Sequence, residues 1–200
     1  MSETNYSIEQ DLREAIAMVD SLERYVQQDQ LYGTVGSGGI FSAGNMPKMT
    51  IGGLLMRLRR LQALSAQLDH RQRDQFTQSQ TRHEQLRKEW RVHYTEKMLY
   101  EANSRLDAMR TFFEECSNDP KLCARVYQPE VLRRTIAEEI LIAAHDLNLD
   151  IGEISKKARA TDSRLRRFTA PSDFVWGAGL ETVYPADRFW WMYHRPPMPA

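Results

Sequence analysis

SIEQDLREAIAMVDSLERYV (Ser7–Val26) is the stretch whose reading decides the fold. Ile8, Leu12, Ala15, Val19, Leu22 and Val26 recur at alternating spacings of four and three, which lines them along one side of an α-helix as a coiled-coil seam. Ser7 followed by Gln10 has the form of a capping box, so a helix is predicted over 7–31. The segment is acidic, with Glu9, Asp11, Glu14, Asp20, Glu23 and Asp29 against Arg13 and Arg24. An apolar seam needs a second element to bury it.

That element lies beyond YGTVGSGGIFSAGNMPK (Tyr32–Lys48), whose five glycines and one proline end the helix. GTVGSGG lacks the Lys-Ser/Thr of a phosphate-binding loop and the glycine spacing of a dinucleotide fingerprint, so it reads as a connection. From about Thr50 a second helix is predicted, with Leu54, Leu58, Leu61, Leu64 and Leu68 on one face and a weak first turn at Gly52 and Gly53. Lys48, Arg57, Arg59 and Arg60 make it basic. An acidic and a basic helix joined by a glycine loop predict an antiparallel coiled-coil hairpin, its register helped by charge.

Asp69–Gln80 is nearly free of apolar residues, and no Gly or Pro occurs from there to Cys116. One uninterrupted helix of about 45 residues is predicted, roughly 70 Å long. Phe76, Leu86, Trp90 and Tyr94 share one face, and Met98, Leu99, Ala102, Leu106, Met109 and Phe113 share another turned by roughly 110°. The first half is expected beside the hairpin and the second in a C-terminal core. Asn118-Asp119-Pro120 marks a turn, Pro129 suits the first turn of a helix over Glu130–Leu147, and Asp150 with Glu153 suits the cap of another bearing Ile154, Ala158, Leu165 and Phe168. After Pro171 only a short helix over Pro185–Tyr193 is predicted.

The fold class is therefore all-α: an antiparallel coiled-coil hairpin, a long central helix, and a C-terminal helical cluster with an irregular aromatic tail. An elongated arm over 1–116 and a cluster over 117–200 are the expected parts. Lys and Arg balance Asp and Glu at 27 each, so no net field draws the chain to nucleic acid or lipid. MSETNYS has no basic region before an apolar run, and no apolar run approaches membrane-spanning length, which predicts a cytoplasmic protein without a membrane partner. Cys116 and Cys123 are spaced for a small disulfide loop or two metal-binding thiolates. Lacking further ligands or a C-x-x-C pair, they read as free structural thiols in a reducing compartment.

Little of the sequence points to catalysis. Glu89 and His93 form an i, i+4 pair without the repeated Glu-x-x-His of a di-iron bundle, and read as a solvated pair. Glu138, Glu139 and Asp146 are the acids for a small all-α metal-dependent hydrolase; Glu139 and Asp146, two turns apart, can align, but only Glu139 clearly flanks the apolar stripe. His145 and His194 have no nucleophile motif nearby. The chain is read as a non-enzyme with no cofactor and no metal.

Two groups remain. KKARATDSRLRRF (Lys156–Phe168) offers Lys156, Lys157, Arg159, Arg164, Arg166 and Arg167 as phosphate contacts, against a solvated face pairing with Glu138, Glu139 or the N-terminal helix. RFWWMYHRPPMPA (Arg188–Ala200) and the upstream aromatics offer Trp176, Phe189, Trp190, Trp191 and Tyr193 either as a cover for the chain's own core or as anchors for a protein partner. With Phe189, Trp190 and Tyr193 on one helical face, Trp191 is the ring expected to remain exposed. The functional expectation is a self-associating interaction or scaffold protein, with a nucleic-acid accessory role through 156–167 as the alternative.

Overall fold

The computed structural model describes residues 6–36, 46–118 and 120–197 of the chain. The centre of the glycine-rich connection, Ser37–Asn45, lies outside them. Among the described residues the fold is all-α, with one two-stranded sheet near the C-terminus. The chain forms two compact units: Ser7–Glu101, and a second that begins at Ala102 and includes Tyr6.

In the first unit, α1 (Ile8–Val26) starts where the Ser7 hydroxyl accepts the Gln10 N–H at 3.3 Å. It packs against both α2 (Ile51–Ala63) and α3 (His70–Glu89). With two helices to cover, its buried side is broader than the predicted seam, and Asp11, Glu14, Met18, Ser21 and Tyr25 join the apolar positions. α2 runs antiparallel to α1, because Arg57 bonds Glu14 at 2.6 Å while Arg60, one turn on, reaches back to Asp11 at 3.5 Å. These ion pairs lie inside rather than on the surface: Arg60 is only 2% exposed. Removing one partner of such a buried pair costs about 3–5 kcal/mol, far more than a surface pair contributes.

Gly53 explains the two glycines that open α2. Its N–H donates to the Thr50 cap at 3.1 Å, and a Cβ there would stand 2.8 Å from the Thr50 hydroxyl and 3.6 Å from Met18 Cε. Gly52 donates its N–H to the buried Glu101 carboxylate at 2.8 Å.

The long helix predicted from Asp69 is two helices. Asp69 and Gln72 close a capping box at the start of α3, and Trp90 (φ −102°, ψ 31°) separates it from α4 (Arg91–Asn118). The N–H of Trp90 still bonds Leu86, and Tyr94 still bonds Trp90, so the ladder bends rather than ends. α3 buries Phe76, Ser79, His83 and Leu86, a regular stripe with polar residues at two of its positions. Across the bend His83 Nε2 and the Tyr94 hydroxyl are hydrogen-bonded at 3.0 Å. Burial, with Arg87 nearby, lowers the His83 pKa to about 4, so the ring is neutral at physiological pH. α1 ends at Val26, short of the predicted residue 31. The Lys97 ammonium donates to the carbonyls of Tyr25 (2.7 Å), Gln28 and Gln30 (3.1 Å), capping that helix end with a positive charge.

The second unit is an up-down-up arrangement of the later part of α4, α5 (Pro120–Asp146) and α6 (Gly152–Phe168). α5 opens at Pro120, where a missing N–H costs nothing, so Pro129, predicted as the first-turn proline, sits inside the helix. The cysteines, read as free thiols, are joined: Cys116 and Cys123 bridge α4 to α5 across the turn. The helices meet there as a tight hairpin, which brings two residues seven apart within bridging distance. Between α5 and α6, Asn148 takes the left-handed conformation (φ 54°) that ends a helix. α6 runs alongside α4 in the same direction, with Lys157 bonded to Asp107 at 2.7 Å and Phe168 stacked on Phe113 further along.

The tail folds over this unit. Ala170–Pro171 (β1) pairs antiparallel with His194–Arg195 (β2), and 3-10 segments at Ala178–Val183 and Trp190–Tyr193 lie between them. Val175, Trp176, Leu180, Val183, Tyr184, Phe189, Trp191 and Met192 are buried. No described helix is long and apolar enough to cross a membrane.

Candidate functional site: the basic helix, its groove and the aromatic clasp

Of the aromatic group singled out in the sequence, Trp176, Phe189 and Trp191 are core, while Trp190 and Tyr193 are half-buried. Trp176, Tyr184, Phe189 and Trp191 form a chain of edge-to-face contacts with centroids 5.0–5.6 Å apart. Such contacts add a directional term to a large buried apolar area. Trp191, expected to face outward, is 1% exposed, whereas Trp190 is half-buried. The reason is local geometry. Residues 185–193 do not form one α-helix, so a 100° step mis-assigns their faces, and the 3-10 turn at Trp190–Tyr193 aims Trp191 at α5.

Trp191 is held there on three sides. Its indole N–H donates to the Thr135 hydroxyl at 3.0 Å, its carbonyl accepts from the Tyr127 hydroxyl at 2.8 Å, and the Arg134 guanidinium lies 4.0 Å over its ring. Arg134 itself is buried and forks onto Asp162 at 2.6 and 3.0 Å while a third nitrogen reaches Glu138 at 3.0 Å. Burial opposes its charge, but Asp162 and Glu138 outweigh that and raise its pKa above the ordinary value. α5, α6 and the tail are thereby locked to one cation. Tyr193 is half-buried, its hydroxyl donating to the Tyr184 carbonyl at 2.9 Å.

The basic residues of α6 do not act as one patch. Lys156 pairs within its helix with Glu153 at 2.6 Å, Lys157 pairs with Asp107, and Arg166 lies 3.7 Å over the Trp190 ring. Glu138, a suggested partner for this face, is instead shared by Arg134 and Arg188, the latter at 3.1 Å. Arg159, Arg164 and Arg167 are exposed.

Arg164 and Arg167 stand one turn apart and line a groove between α4 and α6 with a volume of about 330 Å³. Its other walls are Phe113, Glu114, Ser117 and Phe168. Phe168 and Phe113 stack with centroids 5.8 Å apart and planes within 15°, which fixes the half-buried Phe168 ring as a flat apolar wall. The Ser117 hydroxyl donates to the Phe113 carbonyl at 2.9 Å, leaving its oxygen as an acceptor. Sequence reading missed Glu114 and Ser117 because their role depends on α4 meeting α6 about fifty residues later. No local pattern carries that information.

The acids weighed for a metal site are dispersed. Glu138 is engaged by arginines, Glu139 is buried, and Asp146 is exposed beside His145 at 3.7 Å. Among the described residues no group of three or more His, Cys, Asp or Glu side chains is assembled for a metal ion. His93 packs edge-on against Trp90, and His194 Nδ1 lies 2.9 Å from the Trp190 carbonyl. Comparison of the chain with protein-family models, with curated proteins and with solved structures gives no match, so function has to be argued from this geometry.

Proposed function

We propose that the chain is a non-enzymatic interaction protein whose second unit binds an anionic partner through the groove between α4 and α6. One observation carries the reading: Arg164 and Arg167 are exposed in an open groove that holds one carboxylate, Glu114, while four other acids of the unit are engaged by other cations. Asp162 is taken by Arg134, Glu138 by Arg134 and Arg188, Asp107 by Lys157 and Glu153 by Lys156. In the aromatic tail, the other candidate contact surface, Trp176, Phe189 and Trp191 are buried, while Trp190 and Tyr193 are half-buried. In this reading Arg159 adds long-range attraction, and the two groove arginines make the charge-assisted contacts.

The test is a titration at low salt with two polyanions, a single-stranded oligonucleotide and a poly-glutamate peptide. At least one should bind with an affinity that falls steeply with salt, and the double variant R164E/R167E should bind at least tenfold more weakly. If neither polyanion binds the wild-type chain at low salt, the reading fails.

Self-association is a second reading, favoured by Val92 and Tyr100. They are large apolar side chains 62% and 63% exposed, two turns apart on α4. Light scattering should then show a dimer or larger species that V92E/Y100E converts to monomer. A wild-type monomer at high concentration removes this reading.

A further inference from the structure

We infer that the α4–α6 groove is a site for a single nucleotide unit, a phosphate carrying a flat nitrogenous base, whether free or as one residue of a single strand. This deepens the anion-binding reading and rests on it. A bare anion would be served by the arginines alone, yet three further walls of the groove have a chemistry that a bare anion does not use.

Arg164 and Arg167 are successive turns of one helix face, a spacing at which two guanidinium forks converge on the oxygens of one phosphate group. Phe168 follows directly in sequence and lines the same groove, its ring held by stacking on Phe113. A fixed aromatic plane next to paired arginines is what a nucleotide needs, because every base has a π-face and stacks with little regard to sequence. Glu114 lines the groove from α4. A carboxylate beside a phosphate site repels a simple anion but accepts hydrogen bonds from an exocyclic amino group. Adenine, cytosine and guanine carry such a group and uracil does not, so the groove should disfavour uracil. The Ser117 oxygen is a second acceptor on the same wall. A volume of about 330 Å³ is at the small end of ligand sites, which run from about 300 to 1,000 Å³, and suits one nucleotide unit rather than a larger ligand. An acidic or tyrosine-phosphorylated peptide would use the arginines too, but its anionic groups would gain nothing from Glu114.

The experiment uses the full chain at low salt with AMP, CMP, GMP, UMP, inorganic phosphate, a hexameric RNA and a phosphotyrosyl peptide as probes, read by calorimetry. AMP, CMP and GMP are expected to bind at least tenfold more tightly than inorganic phosphate, with UMP between them. R164A and R167A should each lose about tenfold or more for every nucleotide. F168L should bring AMP affinity down toward that of phosphate, and E114Q should narrow the difference between AMP and UMP. Should F168L fail to fold, E114Q, on an exposed position, still reads base recognition independently. Tighter binding of the hexamer than of AMP identifies the source as a strand, and equal binding identifies a free nucleotide; both support the inference. Nucleotides binding no better than inorganic phosphate, or only the phosphotyrosyl peptide binding, overturns it while leaving the anion-binding reading standing. Absence of binding by every probe, the polyanions included, takes down both.

Discussion

The two units are built from helices of comparable length but held by different means. In Ser7–Glu101 the buried side of α1 includes carboxylates, and Arg57 and Arg60 of α2 reach Glu14 and Asp11 there. A neutral histidine and a tyrosine hydroxyl are bonded inside the bend between α3 and α4. In the unit that begins at Ala102, a disulfide ties two helices, and a run of aromatic residues closes over them with one buried arginine at the centre. The first unit matches buried ion pairs between α1 and α2, whereas the second gathers α5, α6 and the tail on Arg134 and adds aromatic packing and a disulfide. In the proposed reading the exposed cations of α6, Arg159, Arg164 and Arg167, are what meets a partner.

This contrast is broken most severely at Trp191. W191A removes a large buried ring together with its hydrogen bond to the Thr135 hydroxyl, leaves Arg134 without its aromatic cover, and should cost the second unit about 3–5 kcal/mol. Hydrogen exchange followed by residue should report the loss within residues 102–197. R60A is the matching blow to the first unit. It leaves Asp11 buried without that cation and should cost about 3 kcal/mol, with exchange rising within residues 7–101. If the two variants loosen the same residues, the division into separately supported units is wrong.

Acid sharpens the comparison next. The native His83 pKa of about 4 lies below its ordinary 6.5, so between these values the unfolded chain binds a proton that the folded one refuses. Stability from this group is therefore full above about pH 6.5 and falls as the pH drops toward 4, by about 3 kcal/mol in all. Denaturant midpoints measured from pH 7 to 4 should show this fall in the first unit, and H83F should flatten it. The smallest effect is reduction of the disulfide. Its short loop sets the expected cost in the second unit at about 2–3 kcal/mol, measurable as the midpoint difference between the chain with and without a dithiol reductant. No change on reduction would mean that the α4–α5 turn is held by packing alone.

The hairpin was legible because its determinants are repeated and local: leucines at helical spacing, acids on one helix and bases on the other. The depth of its ion pairs was not, since burial of Arg60 depends on how the packed helices enclose it. The bend at Trp90 has no Gly or Pro to announce it, and the polar Ser79 and His83 hid the α3 stripe that runs through them. Pro129 was misread because an interior proline and a first-turn proline look alike until the helix start at Pro120 is known. The disulfide was missed for a related reason, as seven residues bridge only when the chain doubles back between them. Trp191 was misplaced by applying an α-helical angle to a 3-10 turn. Arg164 and Arg167 were legible as basic residues, but Phe113, Glu114 and Ser117 joined them only once α4 and α6 were packed together.

The proposed contact with an anionic partner lies at the α4–α6 groove rather than at the aromatic tail. Its most direct test is a two-dimensional amide NMR titration of the full chain with AMP at low salt. Shifts concentrated on residues 113–117 and 164–168 are the predicted result. Shifts concentrated on residues 189–193, with the groove unmoved, would contradict it.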